Sequence, residues 1–185
     1  MTQQLPKFGG VIDDRRSFAD AIGVENADLP GDFPVQVITC GVPFIFVRLA
    51  TCQAVDGVTI DLKAFTRCCR DAGVEVLPTF FFTTEGKQEA DAAQTVYSRM
   101  LAPMFGIAED PATGGASGPL GCYLLHYGIV SAEAARNIVS LQGVQMKRPS
   151  RIHISIDSKD GAITRVRVGG QSVMVGRGEL TMPSV

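Results

Sequence analysis

The run Gly106-Ile107-Ala108-Glu109-Asp110-Pro111-Ala112-Thr113-Gly114-Gly115-Ala116-Ser117-Gly118-Pro119-Leu120-Gly121-Cys122-Tyr123-Leu124-Leu125-His126-Tyr127-Gly128 decides how this chain is read. Its first half carries two acidic residues, a proline and a glycine pair. Its second half is apolar on nearly every side, with small residues at 114 to 118 and at 121. A helix that is apolar all round is a buried helix, and small residues let strands approach its backbone. A buried helix must still satisfy the N–H groups of its first turn. Here that turn falls near Gly114 to Ser117, where glycines leave the amides uncovered. With the positive end of the helix dipole, they make a site for a carboxylate or phosphate. Asp110 stands a few residues away at the same mouth. The same residues also fit a plainer role, in which Asp110 or Thr113 only caps the helix.

Outward from this run the chain reads as strands around one helical centre. Upstream, residues 1–13 look like an arriving linker. Asp13, Asp14 and Ser17 precede Phe18, Ala21 and Ile22, a short helix that Gly23 can end, and residues 26–34 are a loop. Residues 35–39 and 43–47 read as two strands turned at Gly41. Residues 60–70 have helical spacing, with a stop at Gly73. Residues 75–83, with Phe80-Phe81-Phe82, read as a buried strand, the polar run 84–94 as a surface connection, and 95–100 as another strand. Downstream, 132–137 read as a short helical turn. Ile152, Ile154 and Ile156 alternate with polar residues as on a half-buried strand. Ile163, Val166 and Val168, followed by Gly169-Gly170 and residues 173–175, read as a closing hairpin. This order predicts an α+β fold in which a curled antiparallel or mixed sheet wraps a buried central helix.

Composition narrows the function. The 185 residues are 45% hydrophobic and 19% charged, which excludes general disorder and suits one domain with a sizeable core. A formal net charge of −2 calls for neither nucleic acid nor an anionic membrane as partner. The longest apolar stretch, residues 40–49, is too short to span a bilayer, and the first ten residues lack the apolar core of a signal peptide. The expectation is therefore a cytoplasmic location. Five cysteines without C-x-x-C spacing argue against a disulfide framework and a zinc site.

Residues 108–120 closely resemble the E-D-P-A-T-G-S-A signature of PhzF-like (phenazine-biosynthesis) isomerases. Four further matches follow the family's order: residues 35–44 to its V-Q-x-x-S-T-G-V-P strand pair, 99–103 to R-M-F-A-P, Gln142-Gly143 through Ser150 to Q-G-x-x-M-G-R-P-S, and 168–170 with 178–180 to its closing hairpin. The resemblance implies a fold like diaminopimelate epimerase, in which two similar domains face one another with their central helices' N-termini across a cleft. It also implies cofactor-free isomerisation of a small carboxylate-bearing substrate by acid/base catalysis. By position, Asp110 matches the family's active-site aspartate. Gly114 and Gly115 match the turn whose amides hold the substrate, and Gly114, Gly115, Ala116 and Ser117 are the expected substrate-binding residues.

Two departures bear on activity. The family's principal glutamate and a cleft histidine belong to its first domain, whereas residues 1–13 resemble the inter-domain linker and 14–185 the second domain. Glu25-Asn26 does not replace that glutamate. Gly115 stands where the family usually has serine, keeping the amide and losing a hydroxyl. Three readings follow: a half-enzyme that needs a missing N-terminal domain, a non-catalytic module binding a small carboxylate, or a self-associated remnant whose two copies pair as a homodimer. His126, His153, Cys122 and Glu109 read as structural or solvated, and Lys147, Arg148, Arg151, Arg165 and Arg167 as a solvated basic face.

Overall fold

The helices start where side chains can cap them. Asp14 accepts the Ser17 amide at the head of α1 (Arg15–Ile22), which ends at Gly23 with φ +71°. Thr51 accepts the Ala54 amide before α2 (Cys52–Gly57), and Asp61 accepts the Lys63 and Ala64 amides before α3 (Leu62–Asp71). The fourth, α4 (Gly114–His126), has no side-chain cap, and every residue from Ala116 to Leu124 is buried. Four glycines and Pro119 make it a poor helix by local preference, so burial rather than propensity holds it.

The computed structural model describes residues 1–86, 92 and 94–182. Its strands are β1 (Thr2–Gln3), β2 (Lys7–Ile12), β3 (Val35–Thr39), β4 (Pro43–Arg48), β5 (Thr79–Thr83), β6 (Gln94–Ala102), β7 (Ile107–Asp110), β8 (Ile138–Gln142), β9 (Ser150–Lys159) and β10 (Ala162–Gly169). They form one mixed sheet in the order β1-β10-β9-β8-β6-β5-β4-β3-β2, with β7 also paired to β6. Pairing is parallel at β4–β5 and β6–β8 and antiparallel elsewhere.

This sheet must curl. β1 and β2 occupy its two ends, which in a flat sheet would lie eight spacings of about 4.8 Å apart, roughly 38 Å. Only the segment from Gln3 to Lys7 joins them, and it reaches at most about 14 Å when fully extended. The helix α4 fills the hollow, touching β9 and β10 on one side and β3 and β4 on the other. Alternating residues serve the two faces. Phe44, Phe46, Phe80 and Phe82 pack inward with Leu120 and Tyr123 of α4, while Ile45, Val47 and Phe81 pack outward with Phe18, Ile22 and Phe65 of α1 and α3.

Several expectations are corrected. Residues 1–13, read as a linker, carry the two end strands β1 and β2, which pair with β10 and β3. The strand expected over 75–83 begins at Thr79, after Pro78, which has no N–H to give a ladder. The closing hairpin is β9–β10, turned at Asp160-Gly161, and residues 173–175 are exposed and form no strand. Residues 51–58, unassigned from sequence, contain α2, and the acidic stretch before α4 is the strand β7. The expected connection over 84–94 falls largely on residues 87–91 and 93, outside the described ones. The helix over 60–70, the Gly41 turn and the helical turn within 132–137 match α3, a glycine at φ +131° and a 3-10 turn at Ala134–Arg136.

Two glycines set how closely α4 sits on β9 and β10. A Cβ on Gly121 would lie 2.6 Å from Ile154 Cγ2 and 2.9 Å from Ile156 Cδ1, and one on Gly118 would lie 2.7 Å from Val166 Cγ1. Alanine normally favours an exposed helix over glycine by about 1 kcal/mol, but here overpacking dominates at about 1–3 kcal/mol. Gly121→Ala is therefore expected to lower the thermal midpoint by several degrees, whereas an unchanged or raised midpoint would refute the close packing.

Candidate functional site

The site is built where two strands meet end to end on one edge of β6. Ser98 pairs with Gln142 of β8, and Met100, two residues on, pairs with Asp110 of β7. The other edge of β6 is occupied by β5 over the same stretch. β8 thus stops where β7 ends, and the chain leaves Asp110 through Pro111-Ala112 straight into α4. The order of pairing alone brings Asp110, Gln142 and the first turn of α4 together.

Asp110 is half-buried, and its Oδ2 accepts a hydrogen bond from Thr113 Oγ1 at 2.5 Å. Thr113 is the residue before the helix, but its hydroxyl serves Asp110 and caps no amide. Its carbonyl accepts the Ala116 and Ser117 amides and the Ser117 hydroxyl. Among the described residues, no group accepts from the Gly114 or Gly115 N–H. Both glycines are half-buried and lie beside the Asp110 turn. A Cβ on Gly115 would have the Phe44 ring 3.7 Å away, ordinary contact, and one on Gly114 would meet open space. The structure therefore brings Asp110, Gly114 and Gly115 to one mouth. Ala116 and Ser117 lie buried behind it, their amides already spent on Thr113.

The neighbouring carboxylate has a different task. Glu109 forms a two-point ion pair with Arg99, at 2.8 and 3.1 Å, and each side chain is 11% exposed. Arg99 also donates to the carbonyls of Val55, Asp56 and Val58 at the end of α2. The pair thus fastens β7 and α2 to β6, just below the site.

The remaining candidates stand apart. Cys122 is buried in mid-helix, 4.0 Å from the Cys40 sulfur, and this contact together with burial pushes its thiol upward, away from the nucleophilic form. His126 is exposed at the far end of α4, stacked on Phe8 at 4.2 Å, and His153 is exposed on β9. A hollow of about 550 Å³ lies away from the mouth between α1 and α3 and is lined by Asp13, Asp14, Asp20, Asp71 and Arg67. A groove of about 700 Å³ reaches the site turn at Ala112 and runs past Val144, Arg151 and His153. Among the described residues no cluster of His, Cys, Asp and Glu is placed to hold a metal ion, and no helix is long and apolar enough to cross a membrane.

Sequence reasoning missed Gln142. It is wholly buried and hydrogen-bonds the site turn at three points. The signal available was a glutamine ending an apolar strand and followed by Gly143. That glycine has φ +75°, and a Cβ there would lie 2.8 Å from the Pro111 carbonyl oxygen and 2.5 Å from that of Arg148. Only glycine lets β8 end this close to the turn.

The mixed α+β fold with its curled sheet matches solved structures. The phenazine biosynthesis protein of the PhzF family from Bacillus anthracis superposes with a TM-score of 0.74 at 18% identity, over 92% of this chain and 56% of that one. The chain matches the family described as "Phenazine biosynthesis-like protein" over residues 1–178, and it belongs to that family. It is similar to trans-2,3-dihydro-3-hydroxyanthranilate isomerase of Pseudomonas fluorescens, 28% identical over 98% of this chain and 58% of the relative. It is likewise similar to an uncharacterized isomerase of Clostridium acetobutylicum, 25% identical over 98% of this chain and 60% of the relative. The chain thus spans about 60% of the length of these relatives.

Removing one member of the Arg99–Glu109 pair leaves a charge buried without its partner. Arg99→Met is expected to cost about 3–5 kcal/mol, read as a lower urea midpoint. A loss under about 1 kcal/mol, the value of an exposed pair, would show that the pair does not hold the site's frame.

Proposed function

We propose that this chain supplies one half of the active site of a cofactor-independent isomerase, which shifts a proton within a small carboxylate-bearing substrate. The observation that carries this reading is the placement of Asp110 at the uncapped mouth of α4, beside the unpartnered Gly114 and Gly115 amides. The amides and the helix dipole receive the substrate's carboxylate or the charge that develops on it. Asp110 exchanges a proton with the substrate as general acid or base. Family membership supports an isomerase rather than a passive binder, and a proton shift needs no group that these residues lack except a second acid/base.

That second group lies, in this reading, outside residues 1–185. About two fifths of each relative's length lies outside the match, and among the described residues the mouth of α4 has no other carboxylate or histidine of its own, since Glu109 is held by Arg99 and His126 lies at the opposite end of the helix. The partner half is thus a second domain facing the mouth. Substrate class is argued from the site, a small organic anion, and trans-2,3-dihydro-3-hydroxyanthranilate, named in the Pseudomonas relatives, is the first probe to try.

The test is incorporation of solvent deuterium into that probe, followed by proton NMR with the protein isolated from its own source. Asp110→Asn is expected to lower the rate by about 10²–10⁴-fold, the usual contribution of a general acid or base, and residues 1–185 alone to exchange no faster than that variant. An Asp110→Asn protein with undiminished exchange, or full exchange by residues 1–185 alone, would contradict the reading.

Gly115→Ser probes the same mouth. The side chain fits beside Phe44, so the fold is expected to keep its stability within about 0.5 kcal/mol. The added hydroxyl should tighten binding of small carboxylates several-fold in calorimetry. Weaker binding would place the anion elsewhere.

A further inference from the structure

The Asp110 carboxylate is held by two residues that the reading above does not use. Gln142 is 0% exposed at the end of β8, and its partners orient its amide. Oε1 accepts the Thr113 N–H at 3.0 Å, and Nε2 donates to the Asp110 carbonyl at 2.7 Å. Turning the amide over would set two donors face to face and two carbonyl oxygens face to face, so its direction is determined. The second Nε2 hydrogen goes to Thr113 Oγ1 at 2.8 Å. A threonine hydroxyl carries one proton. With Oγ1 accepting from Gln142, that proton goes to Asp110 Oδ2. Every polar atom of Thr113 is thereby engaged, its carbonyl by the first turn of α4.

We propose that Gln142 and Thr113 are positioning residues that set the proton order at Asp110. Oδ2 is committed as an acceptor, and Oδ1, which no described residue hydrogen-bonds, is the oxygen that takes up and returns the substrate's proton. The inference rests on the reading of Asp110 as the acid/base. In each transfer the O–H bond at Oδ1 forms as the substrate's bond to that proton breaks, or the reverse, and the Thr113 proton stays on Oγ1. The relay also stops the carboxylate from rotating, which keeps the reacting oxygen in line without reorganisation.

Three variants separate positioning from mere support. Thr113→Val removes the hydroxyl and nothing else of that size. Thr113→Ser keeps it. Gln142→Glu replaces the Nε2 donor by an acceptor and draws the Thr113 proton away from Asp110. In the deuterium-exchange assay, Thr113→Val and Gln142→Glu are expected to lower kcat about tenfold or more with KM little changed, as for an interaction that acts on the transfer step, and Thr113→Ser to stay within about threefold of the parent. Proton NMR of residues 1–185 supplies a readout that does not depend on activity. The Thr113 hydroxyl proton is expected as a slowly exchanging signal that shows a cross-peak to the Gln142 side-chain amide and is lost in Thr113→Val. The proposal is overturned if Asp110→Asn is impaired while Thr113→Val is not, or if Thr113→Ser is as impaired as Thr113→Val. A Thr113 hydroxyl that exchanges as freely as an exposed one overturns it by itself. If instead Asp110→Asn retains full activity while the hydroxyl signal behaves as stated, the proton order stands and the isomerase reading falls.

Discussion

The constraint on which the rest depends is the burial of α4. A thirteen-residue helix with apolar or small side chains all round cannot sit on a surface. It needs protein on every side, and one sheet provides it by curling until its end strands, β1 and β2, are bridged by the short segment from Gln3 to Lys7. Glycines at 118 and 121 let β9 and β10 approach. The phenylalanines of β4 and β5 close the other side, and because both faces of those strands are covered, the outer helices α1 and α3 acquire a core of their own.

A helix enclosed in this way keeps one end accessible at the rim of the sheet, and there its chemistry collects. Its first-turn amides have no side-chain cap, because the hydroxyl that would normally supply one is turned to Asp110. The ends of β7 and β8 converge on the same spot because both pair with one edge of β6. The backbone ladder therefore carries the positions of Asp110 and Gln142, and the Arg99–Glu109 pair ties the ladder to α2. Rigid elements, not loops, hold the groups that the proposed reaction uses.

Much of this was readable in the residues. The all-round apolar run after Thr113-Gly114-Gly115 announced a buried helix with a bare mouth, and the alternation at 152–156 announced β9. What was not readable depends on pairing partners. β1 and β2 look like a tether because two-residue and glycine-containing strands carry little pattern, and only the far edges of the sheet make them strands. α2 is six residues long and has no periodicity to detect. Residues 173–175 are apolar, as a strand would be, but no strand of the sheet pairs with them. Gln142 is thirty-two positions from Asp110, and its role exists only once β8 lies beside β6.

The central claim is that the mouth of α4 receives a small carboxylate beside Asp110. Backbone amide NMR of residues 1–185 during titration with such an anion, benzoate for example, tests it most directly. The account predicts saturable shifts largest at the Gly114 and Gly115 amides, spreading to Asp110 and Thr113. Shifts centred on the hollow between α1 and α3, or none at Gly114 and Gly115 at saturating anion, would contradict it.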